Sequence, residues 1–235
     1  MKRARLFCFP YAGASSTVFH SWVPHLDAAI ELVPVELAGR GRRMSEPRYS
    51  STSEMFDDIF DRIRKDLYKG PYAFFGHSMG AVIAYEMARR VREESVFQPL
   101  HVFFSGRQAP HINDQKEKYH LLPDIEFIDE VIQLGGSSRD LFSSPELSGL
   151  FIPLLRNDFR LCESYCFNDV IVPFECSISI FIGKDEDYSK DAILSWRHYT
   201  EKVCSISYYP GGHFFINKYY QDILRNINSA MLSQM

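Results

Sequence analysis

The sequence predicts an α/β fold: a mainly parallel central sheet, helices on both of its faces, and a helical insertion in the second half of the chain. Three observations predict it. Apolar runs of strand length alternate with longer stretches of helical spacing. Several of those runs stop at Pro or Gly, as buried strands do where they leave a sheet. One of them runs straight into Gly76-His77-Ser78-Met79-Gly80, with a helical pattern behind it.

Taken in order, Leu6-Phe7-Cys8-Phe9 reads as a buried strand stopped by Pro10, followed by the loop Pro10-Tyr11-Ala12-Gly13-Ala14-Ser15-Ser16. Phe19, Trp22 and Leu26 mark a helix, and 30–35 a second strand. Arg40, Arg42 and Arg43 sit in a glycine-containing basic loop. Met55, Ile59, Ile63 and Leu67 recur every four residues, which puts them on one face of a helix over 52–68. Ser51 and Glu54 fit a capping box at its start. Residues 72–75 are the next strand, then a helix carries Val82, Tyr85, Met87 and Val91, and 101–105 is a further strand. From about 107 to 172 the pattern turns helical, with segments at 125–134, 145–150 and 152–165. That stretch is too long for a structureless loop and reads as a lid over the sheet edge. Alternation resumes with a strand at 178–182, a helix at 190–202, a strand at 204–209 and a final amphipathic helix at 216–232.

Composition narrows the class. The chain has 235 residues, 46% hydrophobic and 24% charged, which fits one globular domain spanning 1–235. A net charge of -4 argues against nucleic-acid binding. No apolar run approaches the roughly 18 residues of a membrane span, and the basic start at Met1-Lys2-Arg3 precedes too short an apolar stretch for a signal peptide. The five cysteines are odd in number and scattered, so they read as reduced thiols of a cytoplasmic protein, with neither metal nor cofactor implied.

The G-x-S-x-G sequence between strand and helix is the arrangement of a nucleophile elbow. It would set the Ser78 hydroxyl at a helix N-terminus, with the Met79 amide facing a developing oxyanion. Serine needs a base, and His213, after the last strand and behind Gly211-Gly212, is placed to supply it. The orienting acid belongs after the preceding strand, where Gly183-Lys184-Asp185-Glu186-Asp187 offers three carboxylates. Asp187, farthest into the loop, is chosen, Asp185 is the alternative, and the others read as solvated loop charges. The second oxyanion amide belongs to the loop after the first strand, Tyr11 first and Ala12 second.

Together these residues resemble a stand-alone type II thioesterase of the α/β-hydrolase superfamily, along nearly the whole chain. Phe9-Pro10-Tyr11-Ala12-Gly13 is similar to the family's F-P-H-A-G opening, Leu37-Ala38-Gly39-Arg40-Gly41-Arg42 to its L-P-G-R-G-x-R loop, and Gly76 to Gly80 to its G-H-S-M-G elbow. Leu122-Pro123-Asp124 and Leu154-Leu155-Arg156-Asn157-Asp158 resemble lid signatures, and the segments around Asp187 and Gly211-Gly212-His213-Phe214 resemble those of the acid and base. Tyr11 stands where His is common, and Tyr188 where Pro is common.

The resemblance implies an α/β-hydrolase fold and hydrolysis of acyl groups from the phosphopantetheine arm of carrier proteins, in nonribosomal peptide or polyketide synthesis. It implies a catalytic triad of Ser78, His213 and Asp187 and an oxyanion hole from the amides of Met79 and Tyr11; a monomer is expected. Phe127, Ile128, Val131, Phe142, Leu150 and Phe151 either line an acyl chamber under the lid or form the lid's own core. The arginine loop either meets a carrier or is a solvated face. Leu134-Gly135-Gly136-Ser137-Ser138 looks superficially like a carrier attachment site, but no carrier-sized domain accompanies it. The competing readings are a general acyl-CoA or small-ester hydrolase and a non-catalytic scaffolding protein.

Overall fold

The computed structural model describes residues 3–94, 97–112, 118–137, 139–167 and 170–235. Met1, Lys2 and Ser138, the last residue of the attachment-like motif, lie outside the described residues. Six strands form one sheet: β1 (Ala4–Phe9), β2 (Ile30–Pro34), β3 (Tyr72–His77), β4 (His101–Ser105), β5 (Ser177–Gly183) and β6 (Cys204–Tyr209). Their order is β2-β1-β3-β4-β5-β6, and every pair is parallel.

Period-two alternation sorts the strand side chains onto two faces. Phe7, Phe9, Phe74, Phe104, Ile178 and Ile180 pack under helices α1 (Thr52–Leu67) and α2 (Met79–Glu93). Leu6, Cys8, Phe75, Phe103 and Phe181 pack on the other face against Phe19, Trp22 and helix α6 (Phe215–Leu232). Both faces are therefore buried, which is why these strands read as unbroken apolar runs. Strand order reverses between β1 and β3, since β2 lies to one side of β1 and all later strands to the other. The crevice at the carboxyl ends of strands flanking such a switch is where ligands bind in open α/β sheets.

Between β4 and β5 the described residues hold helices α3 (Asp124–Leu134) and α4 (Pro145–Ser164), with short 3₁₀ turns and no strand. Three helices differ from expectation. The pattern around Trp22 forms a 3₁₀ run, Ser16–His25, with Pro24 inside it. The 190–202 helix is α5 (Lys190–Leu194) continued as a 3₁₀ turn, Ser195–Tyr199. The two segments expected at 145–150 and 152–165 are the single helix α4, which runs through Pro153. The carbonyl that Pro153 leaves without its intrahelical donor belongs to Gly149, which is exposed to water. Ser51 caps α1 as expected, accepting from the Glu54 amide at 3.1 Å. The Glu54 carboxylate bonds back to Ser50, one residue earlier than a capping box requires.

Candidate active site

Ser78 joins β3 to α2 with φ 55° and ψ -114°, and is the one non-glycine with positive φ among the described residues. Such backbone strain persists only where surroundings enforce it. A Cβ on Gly76 would stand 1.8 Å from the Gly80 carbonyl oxygen, and one on Gly80 would stand 2.1 Å from the Phe9 carbonyl oxygen. Both positions must be glycine for the elbow to fold this sharply. The Ser78 amide is anchored to the Ser105 carbonyl at 2.8 Å.

The Ser78 hydroxyl lies 2.8 Å from His213 Nε2. His213 follows β6 through a turn that Gly211 enters at φ 102°. Its Nδ1 lies 2.7 Å from Glu186 Oε1. A carboxylate only accepts, so the His213 proton sits on Nδ1 and Nε2 is left free to accept from Ser78.

The carboxylate bonded to His213 is that of Glu186 and not, as expected, that of Asp187. The Glu186 side chain is 4% exposed, whereas Asp187 and Asp185 are exposed and neither bonds to His213. A tight turn explains it. The Glu186 amide reaches the Gly183 carbonyl at 3.3 Å, closing a four-residue turn at the strand end. Its Oε2 in return accepts from the Gly183 amide at 2.8 Å. The turn carries position 186 back toward the sheet and leaves 187 beyond it. The signal was available as the i+3 spacing from the glycine that ends the strand. Nearby, burial and then the charge of Glu186 push the Tyr188 hydroxyl up to about 12.

The two expected oxyanion amides belong to segments that meet at one backbone contact. Met79 opens α2, where amides have no intrahelical acceptor. Gly80 abuts the Phe9-Pro10 backbone, so the residues flanking that contact, Met79 and Tyr11, are brought together. The loop after β1 curls through an Ala14 amide to Tyr11 carbonyl bond of 3.0 Å. The Tyr11 ring stands edge-on to Phe214, and burial raises its hydroxyl pKa. His77, next to Ser78, is turned toward Ser105. It pairs with Ser105 Oγ at 2.9 Å, and burial holds its pKa well below the usual range, which keeps it neutral.

Ser78 and His213 open into a cavity of about 370 Å³, walled by Val131, Phe151, Leu154, Leu155 and Phe159 of α3 and α4. Of the six residues proposed for a chamber, Val131 and Phe151 line it. Phe127 is fully buried in the insertion's own core, with Phe142 packed against it. Leu150 is 58% exposed and borders a second hollow of about 680 Å³, which shares Met44, Phe151 and Leu154 with the first.

The arginine loop departs from both expectations. Arg40 is buried against Asp158, and Arg43 is buried against Glu46, Asp58 and Tyr49; Arg42 alone of the three is exposed. Spacing could not reveal this for Arg40, whose partner comes from α4, whereas Arg43 pairs with Glu46 three residues on as well as with Asp58 of α1.

The thioesterase domain family matches residues 4–231. The gramicidin S biosynthesis protein GrsT of Aneurinibacillus migulanus is 39% identical over 216 residues, covering 91% of this chain and 83% of GrsT. Among solved structures, ClbQ from the colibactin NRPS/PKS pathway is similar with a TM-score of 0.93 at 31% identity, covering 99% of this chain and 98% of ClbQ. YbtT, a type II thioesterase from the yersiniabactin NRPS/PKS pathway, is similar with a TM-score of 0.86 at 28% identity, covering 99% of this chain and 94% of YbtT.

Proposed function

This chain belongs to the thioesterase family, and from that premise we propose that Ser78, His213 and Glu186 are its catalytic triad. It is a type II thioesterase that hydrolyses acyl thioesters. Its substrates are acyl groups on the phosphopantetheine arm of carrier proteins in nonribosomal peptide or polyketide synthesis. The observation that carries this reading is the unbroken relay from Glu186 through His213 to Ser78 at the foot of an apolar cavity.

His213 Nε2 takes the Ser78 proton as Oγ attacks the thioester carbonyl, and Glu186 stabilises the imidazolium that forms. The tetrahedral oxyanion lies between the Met79 and Tyr11 amides, a pairing worth about 3 kcal/mol per donor in comparable sites. Collapse breaks the C–S bond, and the His213 proton goes to the departing thiolate. Water then enters, gives its proton to His213 and attacks the acyl-enzyme carbonyl. Collapse returns the proton to Ser78 and frees the acid. The apolar wall of α3 and α4 holds the acyl chain and excludes bulk water from the intermediate. Every group in this scheme comes from one chain, so a monomer suffices. No described helix is long and apolar enough to cross a membrane.

The test is hydrolysis of a panel of acyl groups, each presented on a carrier protein and on free CoA, with Ser78→Ala as control. Faster release from the carrier, abolished in the variant, is the expected result. Equal or faster release from CoA would make this a general acyl hydrolase, and full activity in Ser78→Ala would remove the nucleophile assignment.

A further inference from the structure

Asp158, on α4, is fully buried, yet it belongs to none of the catalytic groups. Arg40 grips it with two donors, Nη1 to Oδ2 at 2.6 Å and Nη2 to Oδ1 at 2.7 Å. Oδ2 also accepts the Gly13 amide at 2.7 Å. Arg40 in turn donates to the Ala14 carbonyl at 3.3 Å. Gly13 holds φ 77°, and a Cβ there would stand 2.4 Å from Leu155 Cδ2, again on α4. Two side chains of one helix face therefore close on the loop that carries Tyr11. These directional bonds add to the apolar contacts of Ala12, Ala14 and the Tyr11 ring in setting the shape of that loop.

We infer that Asp158, oriented by Arg40, is a positioning residue of the oxyanion hole: its bond to the Gly13 amide fixes the Tyr11 amide toward Ser78. The inference rests on the thioesterase reading and on Tyr11 as an oxyanion donor. An amide misplaced by a fraction of an ångström loses much of its value in the transition state while leaving ground-state binding intact. The bidentate pair also explains why a charge is buried in the insertion at all: an unpaired buried carboxylate would be strongly unfavourable.

Asp158→Asn keeps the shape of the side chain but disturbs the acceptor pair. On an acyl-pantetheine thioester, kcat is expected to fall about 10- to 100-fold with KM within about 3-fold, part of the loss seen when an oxyanion donor is removed outright. Affinity for a trifluoromethyl ketone, which forms a tetrahedral adduct with the serine, falls by the same factor. If the variant does not fold, Arg40→Lys, which keeps the charge but halves the grip, is expected to lower kcat about 3- to 10-fold with the same signature. Unchanged kcat in a folded variant, or a fall in kcat without a matching fall in ketone affinity, overturns the inference. Activity surviving in Ser78→Ala instead overturns the reading of Ser78 as nucleophile, on which the oxyanion hole depends.

Discussion

Replacing Glu186 with Gln removes one of two acceptors that the site uses at once. Its Oε2 accepts from the Gly183 amide at 2.8 Å and its Oε1 from His213 Nδ1 at 2.7 Å. The Gly183 amide is always a donor, so the single oxygen of Gln is drawn to it. The NH₂ then faces His213 and stabilises the tautomer with the proton on Nε2. That ring cannot accept from Ser78, and the charge that stabilised the imidazolium has gone as well. A wrong-tautomer substitution of this kind costs roughly 10⁴-fold in kcat in a serine protease triad. A thiolate leaves more readily than an amine, so we expect a loss of about 10³- to 10⁴-fold, or roughly 4 to 5.5 kcal/mol of barrier. The assay is steady-state hydrolysis of an acyl thioester followed by thiol release, with circular dichroism to verify folding. Asp187→Asn and Asp185→Asn, at exposed positions, should stay within about 2-fold of the parent. More than a tenth of parent activity in folded Glu186→Gln, or a collapse in Asp187→Asn, would refute the assignment of the acid.

Gly106→Ala would place a Cβ 2.6 Å from His77 Cε1 and 3.3 Å from His213 Cε1, at φ 61°. We expect about 1–3 kcal/mol lost in denaturant unfolding together with lower kcat, and parent behaviour in both would count against this packing. Phe151→Ala removes a wall shared by the two hollows, so longer acyl thioesters should gain relative to short ones across a chain-length series; an unchanged profile would exclude Phe151 as a limit. His101 is pushed down to about 4 by burial, so the folded state holds it neutral while the unfolded chain protonates near 6.5. Its contribution to stability is complete above about 6.5 and falls away as pH drops toward 4, by roughly 3 kcal/mol. Urea midpoints across that window should fall less steeply in His101→Gln than in the parent.

The sheet was legible because burial on both faces writes strands as continuous apolar runs, such as Phe7 to Phe9 and Phe74-Phe75. The positions of Ser78 and His213 were legible because each is tied to glycines that a sharp turn requires. The carboxylate that reaches His213 was not, because Asp185, Glu186 and Asp187 share the same chemistry and only the closing of the Gly183 turn selects among them. Arg40 has the local sequence of a loop charge because its partner lies 118 residues away on another element. The expected break at 151 does not form: α4 continues through Pro153, and the Gly149 carbonyl that loses its donor lies at an exposed residue.

The acid at His213 and the pairing of Arg40 share one physical origin. Apolar periodicity reports the layers of the fold, but the loops at the carboxyl edge of the sheet have little apolar content. Buried carboxylates hold them instead. Glu36 accepts from the Ser16 amide at 2.9 Å and from the Ser15 and Ser16 hydroxyls, Asp158 accepts from Gly13, and Glu186 accepts from Gly183. Each carboxylate ties a backbone amide near a strand end. Hydrophobic contacts are non-directional and tolerate displacement, whereas a buried carboxylate loses several kcal/mol if its donors move away. The sheet can therefore be read from which residues are apolar, while the precision of the site resides in a few acidic side chains whose partners become visible only once the chain has folded.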